Sequence, residues 1–135
     1  MARRRGVFAR PFSLLALEGR ELLTTLIALV DSGVDLNDST VVPYLDLGSA
    51  YDAYNKTTYA AAGASAILDT SLAHGHGSVV ANMTVQGIVA AATASGVKPD
   101  VKIMPIRDTS SGLNINVNAL IRGVYWAADH GASVI

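Results

Sequence analysis

Hydrophobic and polar positions divide the chain into segments of two different periods. Residues Thr25 to Val30 read T-L-I-A-L-V, a continuous apolar run that is β-branched in part. A run without polar alternation fits a strand covered on both faces, as in a parallel sheet. Asp31 ends it, and the D-S-G-V-D-L-N-D-S-T that follows is turn chemistry, with Gly33 permitting a sharp bend at the strand's carboxyl end. Val41 to Leu45 reads as a second short strand, placed at an edge or made irregular by Pro43. Asp46 to Thr70 mixes Tyr, Asn, Ala, Ser and Gly without a period, the look of a surface excursion.

From His76 onward the period lengthens. Val79, Val80, Met83 and Ile88 approximate one apolar helical face, and Gly75 and Gly77 bracket the helix start. Pro99 marks a turn between Val97 and Asp100, Val101 to Ile106 forms another buried strand, and polar residues from Arg107 to Gly112 close it. A further helix carries Val117, Leu120, Ile121, Val124 and Ala128 at helical spacing, with Gly131 at its C-terminal cap. Met83, Tyr125 and Trp126 are expected in the core or at its edge. Ala132 to Ile135 opens one more strand. This alternation predicts an α/β fold with a doubly wound, mostly parallel sheet, and the late strand makes that sheet incomplete at the C-terminus.

Composition narrows the partners. The 135 residues are 50% hydrophobic and 16% charged, enough apolar material for one core and too apolar for disorder. Ten Lys and Arg balance eleven Asp and Glu, so bulk electrostatics give no reason to expect nucleic acid or an anionic membrane surface. The basic run Arg3, Arg4 and Arg5 belongs to a basic and apolar leader, residues 1–24, set apart from the folded segment 25–135. The leader's apolar patch, Phe12 to Leu17, is short and lacks a cleavage signal, so no clear signal peptide is present. Leu22 to Val30 falls far below the roughly 20 residues a spanning helix needs. Without cysteine, a disulfide framework, a thiolate nucleophile and Cys-ligated zinc are excluded.

Two residues stand in settings that chemistry uses. Asp31 ends the first buried strand in L-V-D-S-G-V-D, where α/β sheets present side chains to a crevice. His76 lies between two glycines at a helix start in H-G-H-G-S-V-V-A. Taken singly, an Asp in D-S-G caps a turn and a His at a helix start is a satisfied polar group. The two motifs together, in this order, are far more specific than either. His74 and His76 form an H-x-H pair with no third metal ligand close by. Asp35, Asn37 and Asp38 lack the spacing of an EF-hand loop and read as solvated turn residues. Asn37, Asn55 and Asn82 head N-x-[ST] sequons, which matter only in a glycosylating host.

From about Leu26 onward these blocks resemble the amino-terminal part of a subtilisin-like serine protease, a subtilase, whose pattern has D-[ST]-G and G-H-G-[ST]-x-V-A at two triad residues. The segment G-V-K-P-D-V-K-I-M-P-I-R is similar to the family's Pro turn and core strand. The segment A-L-I-R-G-V-Y-W-A-A-D-H-G-A-S-V-I is similar to its next helix and strand. The resemblance implies a subtilisin-like fold and a serine endopeptidase acting on polypeptides through an acyl-enzyme. His76 is then the general base and later the acid, and Asp31 its orienting carboxylate. Gly75 and Gly77 are expected to clear bulk around the ring, and the helix dipole to keep the imidazole neutral. Ser111, Gly112 and Leu113 are the expected edge strand against an extended substrate. No cofactor is required, structural calcium is compatible with the family, and so is secretion.

The family's oxyanion-hole Asn and its Ser in G-T-S-M-A have no counterpart in these residues. The chain therefore reads as a fragment that is inactive alone, with exposed apolar faces that favour aggregation. The competing reading is a catalytically dead α/β remnant or binding module. A nucleotide-binding domain is disfavoured by the lack of G-x-G-x-x-G after a strand.

Overall fold

The computed structural model describes residues 24–69, 75–109 and 116–135. Strand β1 spans Thr25–Asp31, and a 3-10 turn covers Val42–Tyr44. Two short strands follow, β2 at Tyr51–Asp52 and β3 at Thr57–Thr58, and then helix α1 at Tyr59–Ala62. Helix α2 spans His76–Ala94, strand β4 Val101–Arg107 and helix α3 Val117–Asp129. The sheet order is β1-β4-β2-β3, with β4 parallel to both β1 and β2 and only the β2–β3 hairpin antiparallel. This is the mostly parallel α/β sheet that the alternation of apolar runs predicts.

The pleat sorts the sheet's side chains into two cores. Ile27, Leu29 and Ile103 pack with Ala81 and Val85 of α2 and with Val34, Val41, Leu45 and Ile67. Ala28, Val30, Met104 and Ile106 pack on the opposite face with Ala119 and Ala127 of α3. The two long helices thus cover opposite faces, as double winding requires. On the β1 side, Ser133 donates to the Leu26 carbonyl and Ala28 to that of Val134, so the last residues add a parallel bridge to the sheet. That matches the expected late strand.

Three expectations are corrected. Val41 to Leu45 is not a strand. Pro43 sits in the first turn of the 3-10 segment, where a missing N–H and a fixed φ cost nothing, and Leu45 adds only an isolated bridge to Ile103. The described part of that excursion, residues 46–69, is not merely superficial, because Ala50, Asp52, Ala53, Ala66 and Ile67 are fully buried and β2 completes the sheet beside β4.

The helices are also rotated away from the expected faces, leaving Val80, Ile88 and Leu120 half-buried at the edge of the contact. Gly77, Ala81 and Val85 face inward on α2, and Ala119, Gly123 and Ala127 do so on α3. Val79, Met83, Val117, Ile121, Val124 and Tyr125 are exposed. Small residues let the helix backbone approach the sheet, and a Cβ at Gly123 would lie 2.8 Å from Val30 and 3.0 Å from Ile106. Size of contact, rather than hydrophobicity of the stripe, decided the buried face. Trp126 lies at the core edge as expected, stacked between Tyr51 and His130 with its Nε1–H donating to the Ser49 carbonyl. By length and composition α2 could cross a membrane, a test that core helices also pass, and here one face of it packs on the sheet.

Candidate active site

The carboxyl ends of β1 and β4 lie in register, with Asp31 opposite Arg107, and Asp108 donates its backbone N–H to the Asp31 carbonyl. Parallel strands ending together leave side chains at an open rim. Asp31 stands there with its side chain 20% exposed, and His76, the first residue of α2, stands beside it at 64%. The ring Nδ1 lies 2.8 Å from Oδ1 and 2.9 Å from Oδ2 of Asp31. With Nδ1–H donated to the carboxylate, the neutral ring carries its lone pair on Nε2.

The backbone around the pair is fixed by close approach. Ser32 donates its N–H to Asp31 Oδ1, and its buried hydroxyl accepts the N–H of Gly77. A Cβ on Gly77 would lie 2.2 Å from the Gly33 carbonyl oxygen, so the helix start abuts the turn after β1. The glycine is needed for that backbone contact rather than to clear space around the ring. Gly33 has φ +120°, and a Cβ there would meet the Ile67 carbonyl oxygen at 2.5 Å. The bend read from the sequence is therefore also a packing site, against which Val34 and residues 67–69 form a parallel bridge. Gly75 caps α2 in the left-handed region at φ 67°.

Electrostatics reverse one expectation. The imidazolium of His76 is favoured, not disfavoured: the hydrogen bond to Asp31 raises its pKa, the Asp31 charge adds to this, and slight burial only partly opposes it. A direct carboxylate contact outweighs the helix dipole at N1. Asp108, whose backbone N–H meets the Asp31 carbonyl, has its carboxyl raised by burial first and by the Asp31 charge second.

No motif or period marks Asp69 in the chain. Its carboxylate accepts from both the N–H and the hydroxyl of Ser78, at 3.1 and 3.0 Å, from nine positions upstream in a stretch without a pattern. Asp35 and Asp38 accept from Asn37 and Thr40 in local turns, as expected of turn residues, and Asp38 also accepts from Asn82, which with Thr40 lowers its pKa. Among the described residues no cluster of three or more His, Asp and Glu side chains is placed to hold a metal. Ser111, Gly112 and Leu113, with His74 and the leader 1–23, lie outside the described residues.

A comparison with protein-family models matches residues 24–135 to the Subtilase family. No curated protein matched the chain, and no solved structure did.

Proposed function

Since the chain belongs to the subtilase family, we propose that Asp31 and His76 are two members of a serine-endopeptidase triad. Family membership supports a hydrolase of polypeptides. The observation that carries the residue assignment is the paired contact of His76 Nδ1 with both oxygens of Asp31, at a rim where the His76 side chain is 64% exposed.

The chemistry follows from that contact. Asp31 holds Nδ1–H, so Nε2 accepts the proton of a serine hydroxyl as its oxygen bonds to the substrate carbonyl carbon and the carbonyl electron pair moves onto oxygen. The resulting imidazolium is stabilised by the carboxylate. Nε2–H then passes its proton to the departing amine as the C–N bond breaks, and water repeats the sequence on the acyl-enzyme. The nucleophile and the oxyanion donor are not among these 135 residues, so this polypeptide by itself has no turnover. Ser111, Gly112 and Leu113 are assigned to pairing with the extended substrate backbone, the mode in which a peptide adds to a strand.

The test is labelling of the natural gene product, read in frame through these residues, with a serine-directed fluorophosphonate. Labelling that His76→Ala abolishes supports the proposal. No labelling of a folded gene product, or labelling indifferent to His76, overturns it in favour of a remnant or binding module.

A further inference from the structure

The geometry points to Asp69 as the positioning residue that holds His76 against Asp31. Helix α2 begins on Gly75, whose lack of a side chain leaves the first-turn N–H groups without the usual local cap. Ser32 takes the N–H of Gly77, and Asp69 takes the N–H and hydroxyl of Ser78. Two acceptors from different parts of the chain therefore replace one N-cap. Ser32 anchors the helix start to the strand that bears Asp31.

Asp69 anchors it from the other side. Its backbone N–H donates to Val34, and Val34 donates to Ile67, while Arg107 reaches the Leu68 carbonyl. Asp69 is thereby fixed to the turn after β1 and to the end of β4 before it touches α2. A Cβ on Gly75 would lie 3.0 Å from the Asp69 carboxylate, so the cap approaches the residue immediately before His76. A charged acceptor at the first turn is also favoured by the helix dipole. Because His76 is the first residue of α2, the rotation and height of that turn set where its Nδ1 falls. The carboxylate of Asp69 also adds a minor charge that favours the imidazolium.

The consequence for catalysis rests on the protease reading; the placement itself does not. The test is carbethoxylation of individual histidines in the intact 135-residue chain at high dilution, mapped by mass spectrometry across pH. Only neutral imidazole reacts, so each histidine reports its own titration. His130, stacked on Trp126, serves as an internal control.

In Asp69→Ala, reactivity of His76 should begin at lower pH than in the unaltered chain, because the ring no longer rests on Asp31, and His130 should not move. Asp69→Asn keeps an acceptor oxygen in place and should lie closer to the unaltered profile. An unmoved His76 in Asp69→Ala overturns the proposal. So do equal shifts in both variants, which mean that charge acts without positioning. Should Asp69→Ala displace His130 as well, Ser78→Ala, which removes only the hydroxyl donor, decides: a lowered His76 profile supports the assignment and an unchanged one overturns it. A gene product that takes no fluorophosphonate but shows the shift retires the protease reading and leaves the positioning role standing. The reverse pair of results does the opposite.

Discussion

The two oxygens of Asp31 both face Nδ1 of His76, at 2.8 and 2.9 Å, across 45 residues of chain. The raised imidazole pKa follows from this contact, first through the hydrogen bond and then through charge. Under the proposed triad, labelling by fluorophosphonate needs neutral His76, so its acid limb should lie above that of an ordinary histidine. Asp31→Asn should move the limb down and slow labelling by about 10⁴-fold, the order that loss of the carboxylate has in such triads. Rates measured across pH check both.

The same contact links pH to folding. A histidine whose pKa is raised on folding lends stability that is complete below its unfolded value and is lost as pH rises through its folded value. The urea midpoint of the unaltered chain should therefore exceed that of His76→Gln on the acidic side, and the gap should close as pH rises through that window.

Asp108 carries the opposite sign. Its carboxyl is raised by burial, so ionising it works against the folded state, and stability falls as pH rises from the usual Asp range through the folded value. Asp108→Asn should unfold at a higher temperature than the unaltered chain at pH 7. Below the usual Asp range the advantage should vanish, a comparison that thermal scans at two pH values make directly.

Two glycines of α2 separate backbone approach from helix propensity. Gly77→Ala puts a Cβ 2.2 Å from a backbone oxygen and should destabilise by about 1–3 kcal/mol. Gly87→Ala meets nothing within 4 Å and should stabilise by about 0.5–1 kcal/mol. Chemical denaturation of the two variants side by side measures the contrast.

Arg107 and Asp52 form a buried ion pair that joins β4 to β2, and Asn55 satisfies the remaining carboxylate positions. Asp52→Ala leaves the guanidinium buried without its charge partner and should cost about 3–5 kcal/mol. The double variant Asp52→Leu, Arg107→Met should recover most of that loss in the same denaturation assay.

Much of this architecture was legible because it depends on local pattern. Thr25 to Val30 and Val101 to Ile106 announce themselves as buried strands, and both are extended by only one residue, to Asp31 and Arg107. The D-S-G and G-H-G motifs marked the two residues that meet at the rim. Asp52 and Asp69 were not legible, since both sit in a stretch with no period, Asp52 pairing with Arg107 55 positions away and Asp69 with Ser78 nine positions on. The helix faces were misjudged for a related reason: Ala119, Gly123 and Ala127 pack because they are small, and an apolar count favours Val117, Ile121 and Val124 instead. Likewise the helix dipole alone favours a neutral His76, and only the remote Asp31 carboxylate that faces the ring reverses that preference.

One optical consequence follows from the stack of Tyr51, Trp126 and His130. Trp126 is the chain's single tryptophan and reports on the α3 face of the sheet. Its emission is a signal for the half of the molecule that excludes α2, so fluorescence melts will register loss of the α3 layer while remaining blind to fraying at the start of α2. An intact emission spectrum is therefore compatible with a displaced His76, and a dark one with an intact first turn.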